Sequence, residues 1–114
     1  MKSTNIFLSL LFISLLPSPS WSETIDDLVL RDGLYYEKST DVPFNGNITG
    51  LEQGSLKNGK KEGMWLWYWS NGQLSSKGNY NNGMYDGDWV GYRKDGTLVK
   101  EWTGTFKNGV KISD

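Results

Sequence analysis

The chain has 114 residues and a formal net charge of −1, from 12 basic and 13 acidic side chains. It contains no cysteine and no histidine, which excludes a disulfide framework, a thiolate or imidazole metal site and a histidine-based catalytic centre. The slightly acidic balance, with no basic cluster, argues against nucleic acid and anionic lipid as partners.

The first predicted element is a signal peptide over residues 1–22. A short polar start with Lys2 precedes an apolar run from Ile6 to Leu16, and small residues follow up to Ser22. The run is too short for a membrane-spanning helix, which needs about 20 residues. We therefore expect a periplasmic or secreted protein. The alternative is a chain that keeps this segment and associates with the membrane through it.

Residues 23–114 are predicted to form one all-β domain, because Asn-Gly and Asp-Gly pairs interrupt the sequence at nearly constant spacing. Successive separations are 13, 13, 13, 11, 13 and 13 residues. Such pairs favour two-residue type I′ turns, which need positive φ at both central positions. The pairs begin at Asp32, Asn45, Asn58, Asn71, Asn82, Asp95 and Asn108.

Two copies of one unit align without gaps, with Gly54 matched to Gly78 at their start and Leu74 matched to Leu98 at their end. The spacing between matched residues, 24 positions from Gly54 to Gly78, is here called the repeat period. Self-similarity at a fixed period is typical of stacked arrays, in which each unit buries its apolar face against its neighbours.

The domain is therefore divided into repeats. The repeats cover about 54–77 and 78–103, a partial copy covers 104–114 after a two-residue insertion, and a divergent leading segment covers 28–53. The structural repeat residues are Gly63, Trp65, Tyr68 and Gly72 in the first copy and Gly87, Trp89, Tyr92 and Gly96 in the second.

Each unit is predicted to contain two strands. The outgoing strands are Met64–Trp69 and Asp88–Lys94, and the returning strands are Gln73–Tyr80 and Thr97–Phe106. The paired Trp65/Trp89 and Tyr68/Tyr92 rings are expected to form aromatic ladders across adjacent hairpins. Gly63 and Gly87 are expected to mark bulges or a close approach of backbone to ring.

The pattern G-x-[YF]-x-N-G-x-x-x-G-x-W-x-x-Y-x-x-[ND]-G-x-L in these units resembles the bacterial MORN-repeat-variant family, which is often labelled antitoxin-like. The resemblance runs from about Leu28 to Asp114 and includes the segment Val42–Gly46, which places Asn45-Gly46 away from a hairpin tip. It implies an elongated antiparallel meander of stacked β-hairpins and a non-catalytic binding or scaffolding role with a protein partner.

No catalytic, cofactor-binding or metal-binding residues are predicted. Glu62, Asp86 and Asp88 flank the repeat glycines and are interpreted as solvated charges rather than as the carboxylate pair of a glycosidase. The charged run from Lys57 to Glu62 is likewise interpreted as a solvated turn.

The candidate binding surface consists of Trp67, Trp69 and Arg93, the last being the repeat partner of Trp69. Alternation along a strand places the two indoles on one face with Trp65. Exposed rings can anchor a protein partner or stack on sugars, whereas buried rings would only thicken the ladder. Two functions follow: binding of a protein partner, and, as the alternative, binding of carbohydrate such as cell-wall peptidoglycan through Trp67 and Trp69.

Overall fold

The computed structural model describes residues 22–114, and these residues form an all-β structure, as the sequence predicts. Their two short 3₁₀ turns are Ile25–Asp27 and Lys100–Trp102. The predicted signal peptide lies outside the described residues, apart from Ser22 at its end. The strands are β1 (Ser22–Thr24), β2 (Leu28–Arg31), β3 (Leu34–Glu37), β4 (Gly46–Thr49), β5 (Glu52–Lys57), β6 (Lys60–Tyr68), β7 (Leu74–Asn81), β8 (Met84–Gly91), β9 (Gly104–Lys107) and β10 (Val110–Ser113).

Eight of these strands form one mixed sheet in the order β1-β4-β5-β6-β7-β8-β9-β10. From β4 to β10 each strand pairs antiparallel with the next, whereas β1 lies parallel to β4. The remaining two strands, β2 and β3, form a separate hairpin. Among residues 22–114, no helix has the length and apolar character needed to cross a membrane.

Type I′ turns occur at four of the seven predicted positions. Asp32, Asn58, Asn82 and Asn108 have φ between 50° and 53°, and the glycine after each also has positive φ. These four tips join β2 to β3, β5 to β6, β7 to β8 and β9 to β10. Asn and Asp tolerate this conformation better than other side chains, which explains their place before glycine.

The other three pairs adopt different geometries, so the type I′ prediction is wrong there. In the Asn71-Gly72 loop only the glycine has positive φ, at 87°. Its N–H donates to the Trp69 carbonyl at 2.9 Å, the pattern of a three-residue loop with glycine in the left-handed position. Asp95-Gly96 repeats this arrangement. Asn45-Gly46 leads into β4 and is not a hairpin tip.

One face of the sheet, here called the inner face, carries the core. Alternation along β5 to β9 brings buried side chains from successive strands to this face, and the opposite, outer face carries polar side chains together with the exposed Met64 and Met84. On the outer face, Ser55 donates to Asn47 and Thr105 donates to Asp88. The buried residues of the inner face in this region are Leu56, Trp65, Tyr80, Trp89 and Phe106.

Two indoles of the inner face are held in the same way, one repeat period apart. Trp65 Nε1 donates to the Ser55 carbonyl at 3.0 Å, and Trp89 Nε1 donates to the Asn79 carbonyl at 2.9 Å. Each ring lies flat against a glycine of the neighbouring strand, Gly54 for the first and Gly78 for the second, where any Cβ would overlap the ring. The close approach of backbone to ring therefore occurs at these glycines.

Gly63 and Gly87 have the bulge geometry that the sequence predicts for them. Their φ values are 76° and 82°, and the register shifts near each of them, in the β5–β6 and β7–β8 pairings. A Cβ at either position would meet nothing within 4 Å, so neither glycine is the one that the ring approaches.

The β2–β3 hairpin covers the part of the inner face nearest β5 and β6. Leu28 is buried in the core cluster, and Tyr35 packs against that cluster. The hairpin is also bonded through its backbone, because the Tyr35 N–H donates to the Gly59 carbonyl at 2.9 Å and the Gly59 N–H donates to the Phe44 carbonyl at 2.8 Å.

The second unit departs from the predicted strands. Its outgoing strand ends at Gly91, three residues early, and beyond it Tyr92 makes only an isolated bridge to Leu98. The predicted returning strand Thr97–Phe106 is interrupted by the 3₁₀ turn at Lys100–Trp102. The turn overlaps the two-residue insertion that precedes the partial copy. The strand is therefore interrupted at the place where the alignment of the repeats is also interrupted.

Candidate binding groove

The rings of the inner face form a continuous aromatic cluster rather than the predicted ladders. Trp67 lies between the two repeat indoles, with ring centroids 5.7 Å from Trp65 and 5.8 Å from Trp89. Tyr85 stacks on Trp89 at 4.3 Å and meets Phe106 edge to face at 5.2 Å. The cluster therefore spans β6, β8 and β9 without direct contact between the two repeat indoles.

The predicted Tyr68/Tyr92 ladder is wrong, since in the part of the chain that the structure describes neither ring packs on another aromatic ring. What repeats at these positions is the backbone. The Tyr68 N–H donates to the Leu51 carbonyl at 2.7 Å, and the Tyr92 N–H donates to the Ser75 carbonyl at 2.7 Å.

A groove of about 380 Å³ opens on the inner face, over the half of the sheet nearest β8 and β9. It combines aromatic side chains at its walls with two serines and one carboxylate. Tyr85 and Trp102 remain 40% and 45% exposed, so part of this aromatic surface is in water. The residues that line this aromatic groove are Trp67, Ser75, Ser76, Tyr85, Trp89, Glu101, Trp102 and Phe106.

The groove exists because the second unit lacks one ring that the first unit has. Gly91 stands one repeat period after Trp67, and Trp102 packs against this glycine so closely that a Cβ would overlap it. Thr103 fixes the segment, since its hydroxyl donates to the Val99 carbonyl at 2.8 Å and accepts from the Gly91 N–H at 3.1 Å. The Trp102 ring thus comes from the 3₁₀ turn rather than from a strand of the sheet, and a gap remains beside β8.

Glu101 is the charged group of the groove. It is exposed, and among residues 22–114 no lysine or arginine forms an ion pair with it. The neighbouring cation Lys111, whose ammonium donates to the Lys100 carbonyl, is instead paired with Asp114 at 3.0 Å. The groove therefore carries an unpaired negative charge beside aromatic rings.

The equivalent place in the first unit holds a cation. The Lys61 ammonium lies 5.0 Å from the ring centroids of both Trp65 and Trp67 and pairs with the Glu52 carboxylate at 3.1 Å. The two charged side chains are only 17% and 21% exposed. The sequence-based interpretation of this lysine as part of a solvated turn is therefore wrong.

Tyr80 lies between the two units and contacts rings of both. It meets Trp65 and Trp89 edge to face, at 6.1 Å and 5.1 Å. Burial, with a smaller contribution from neighbouring Tyr85, raises the pKa of the Tyr80 hydroxyl far above its ordinary value of 10.0. The raised pKa favours the neutral phenol in the folded protein, where its ring packs against the two indoles.

Only one of the three residues of the predicted binding surface lines the groove. Trp67 does so, whereas Trp69 and Arg93 belong to the two three-residue loops. The Trp69 indole N–H donates to the Tyr92 carbonyl at 3.0 Å, and Arg93 donates to the Leu98 carbonyl at 2.8 Å. The first bond joins two neighbouring hairpins and the second spans the loop that follows Arg93, so both side chains have structural contacts.

Sequence reasoning missed Tyr85, Glu101 and Trp102 as groove residues. Two features of the sequence could have indicated them. Gly91 stands where the first copy has Trp67, and an additional tryptophan, Trp102, lies in the segment that contains the two-residue insertion.

Within the described range 22–114, no three Asp or Glu side chains gather where they could hold a metal ion. No protein-family model, no curated protein and no solved structure matches this chain.

Proposed function

We propose that this protein is a non-catalytic binding module that takes a segment of another protein into the aromatic groove. The sheet supplies a rigid platform, and the groove supplies rings and one unpaired carboxylate.

The observation that carries the proposal is the unequal covering of one continuous face. Over β5 and β6 the chain's own β2–β3 hairpin covers part of the inner face and contributes Leu28 and Tyr35 to the core. A cavity of about 470 Å³ remains between this hairpin and the sheet, and its lining includes the charged Lys61. Over β8 and β9 the same face ends in partly exposed rings. Partly exposed aromatic side chains around a concave surface are characteristic of protein-binding hot spots.

We further propose that the platform is an array of MORN-like hairpin repeats. The matched indole bonds and the matched backbone bonds of Tyr68 and Tyr92, each one repeat period apart, support this assignment. On this proposal the module acts outside the cytoplasm after removal of the signal peptide 1–22, in the periplasm or as a secreted protein. The antitoxin-like label of the resembled family would make the partner a protein that the module restrains.

Carbohydrate, including peptidoglycan, is the second candidate ligand. The groove favours it in one respect, because the rings of Trp67 and Trp102 stand beside the hydroxyl of Ser76 and a carboxylate. Sugar-binding sites combine ring faces with a few polar groups in this manner. Trp69 would have no part in it, because its indole N–H is bonded to the Tyr92 carbonyl.

Site-specific photocrosslinking tests the proposal. A benzophenone side chain at position 102 samples the groove, and the same group at Lys77, on the outer face, is the matched control. We expect position 102 to capture one defined protein from cell envelopes, excess unlabelled module to compete, and Tyr85→Ala to abolish capture. Capture of equal strength at both positions would contradict the groove as the docking surface. Elution by peptidoglycan fragments, with no protein captured, would favour the carbohydrate alternative.

A further inference from the structure

We infer that the aromatic groove recognises a cationic side chain, a lysine or arginine, projecting from the bound protein segment. The inference rests on the proposed function and specifies the chemistry of its ligand. Its basis is the comparison between the two units of the sheet, one of which already contains such a cation.

The first unit shows what this surface accommodates. The Lys61 ammonium lies 5.0–5.9 Å from the centroids of four rings, and it is neutralised by Glu52. A cation within about 6 Å of a ring centroid is attracted by the electron-rich ring face, and the attraction grows as water is excluded. The four rings are those of Tyr35, Trp65, Trp67 and Tyr80.

The second unit has the rings and lacks the cation. Tyr85 is the repeat partner of Lys61, and Ser76 is the repeat partner of Glu52; both line the groove. Within residues 22–114 no lysine or arginine lies over the rings of Tyr85, Trp89 or Trp102.

Glu101 supplies the counter-charge that Glu52, from the leading segment, supplies to Lys61. It is exposed and unpaired, and it lies at the wall of the groove beside Trp102. A carboxylate beside aromatic rings favours an ammonium or guanidinium group over a neutral side chain of the same length. The volume of about 380 Å³ admits one long side chain together with a short stretch of backbone.

Nuclear magnetic resonance with small probes tests this inference without the partner. The probes are Nα-acetyl-lysine methylamide, its arginine counterpart, and Nα-acetyl-norleucine methylamide, which has a similar alkyl chain and no charge. We expect the cationic probes to shift the Trp102 and Trp67 indole N–H resonances with dissociation constants of roughly millimolar size. We expect norleucine to bind about tenfold more weakly, because it gains neither ring attraction nor charge pairing.

Two variants test the assignment of the groove residues. Glu101→Gln should weaken lysine binding about fivefold and leave norleucine binding unchanged. The double variant Ser76→Glu with Tyr85→Lys copies the Glu52–Lys61 pair to the positions one repeat period later, so the groove should carry its own cation and reject all probes. Its control is Met84→Lys, which adds a lysine at the adjacent position of β8, outside the groove lining. An unchanged Trp65 indole resonance, from a ring outside the groove lining, would show that each variant remains folded.

Norleucine binding as strong as lysine binding, no shift with any cationic probe, or no effect of Glu101→Gln would overturn the inference. A neutral chito-oligosaccharide that shifts the same indoles while lysine does not would assign the groove to carbohydrate. The two proposals fail separately. Crosslinking at position 102 without binding of the cationic probes would support the proposed function and contradict the inferred cation site. Binding of the lysine probe without any captured protein would support the cation site and contradict the proposed function.

Discussion

The two units of the sheet have the same backbone arrangement and differ in the side chains that cover it. In both units an indole packs on a glycine and donates to a backbone carbonyl ten residues back, and a glycine with positive φ makes a bulge before the ring. In the first unit Lys61, Trp67 and the β2–β3 hairpin cover much of the surface above this frame, and a cavity remains beside Lys61. In the second, Tyr85 and Gly91 stand in the equivalent positions, and the surface is open.

This difference separates two kinds of residue in a repeat. Residues that are identical in the two units close the backbone bonds and place the indoles, so they determine the sheet. Residues that differ between them determine whether the inner face is closed or available to a ligand. Measurements on matched positions of the two units can test this division, because each position has its own internal control.

The largest effect is expected at the glycines beneath the indoles. Gly54→Ala should lower the free energy of unfolding by about 4 kcal/mol, since a Cβ would overlap the fully buried Trp65 ring, which is 0% exposed and cannot shift. Gly78→Ala should cost less, about 2–3 kcal/mol, because Trp89 lies beside the open groove and can move into it. Denaturant unfolding of both variants measures the difference.

The control for this pair is Gly72→Ala, where a Cβ meets nothing within 4 Å and only the positive φ opposes it. We expect a loss of about 1 kcal/mol there. Equal losses for Gly54→Ala and Gly78→Ala would show that the second indole is as tightly confined as the first and that the open half gives it no freedom.

The next effect concerns the charged pair between Lys61 of the first unit and Glu52 of the leading segment. Lys61→Met should cost about 2 kcal/mol, because it leaves the largely buried Glu52 carboxylate without its partner. Adding Glu52→Gln should recover part of this loss, since the unpaired charge is then removed too. A double-mutant cycle by denaturant unfolding measures the coupling, with exposed Lys57→Met as control. A coupling free energy of zero would mean that the pair is held by packing alone.

The period of the turns made the all-β class predictable. Asn-Gly and Asp-Gly pairs act locally through φ, and four of the pairs adopt the expected type I′ turn. The Asn71 and Asp95 pairs differ because their loops contain one more residue, and dipeptide identity alone does not reveal loop length. Gly63 and Gly87 were likewise predictable as bulges from their repeated place ahead of each indole.

The groove was less predictable, because it depends on contacts between residues far apart in sequence. Trp102 and Gly91 meet only after the 3₁₀ turn has formed, and Lys61 is buried only because the β2–β3 hairpin and Glu52 converge on it. A charged run beside a turn is normally solvated, so its sequence favoured the wrong interpretation. Trp69 was predicted to be available for binding because the sequence does not show that its indole N–H donates to the distant Tyr92 carbonyl and joins neighbouring hairpins.

A smaller effect, confined to alkaline pH, is expected from Tyr80, which packs between the two units. Its pKa is raised in the folded protein, so the neutral phenol stabilises the fold fully below the unfolded value near 10, and this contribution is lost as the pH rises above it. Tyr80→Phe should therefore match the parent closely at pH 7 and lose stability less steeply above pH 10. The expected difference in slope is about 1.4 kcal/mol per pH unit.

Denaturant unfolding between pH 8 and pH 11 measures these slopes, and tyrosinate absorbance shows whether one phenol ionises only on unfolding. Parallel slopes for the parent and Tyr80→Phe would mean that water reaches this phenol in the folded state and that the boundary between the units is not closed.

The smallest effect distinguishes the two three-residue loops. Asp95 accepts from the Thr97 hydroxyl at 2.7 Å and from the Thr97 N–H at 2.9 Å, and the side-chain bond first, then the backbone bond, lower the pKa of this carboxyl from 3.8. Its stabilising contribution is therefore present above pH 3.8 and is lost as the pH falls through the lower folded value. In the first unit Asn71 accepts from the Gln73 N–H at 2.9 Å and carries no charge.

An amide titration by nuclear magnetic resonance compares the loops directly. The Thr97 amide should shift with a midpoint below pH 3.8, and Asp95→Asn should abolish that shift. The reciprocal variant Asn71→Asp should give the Gln73 amide a similar titration, because the backbone of the two loops is bonded identically at Trp69 and Arg93. A Thr97 midpoint at or above the ordinary aspartate value would mean that the loop bonds do not persist in solution. The equivalence of the two units would then hold for the strands and not for the turns that join them.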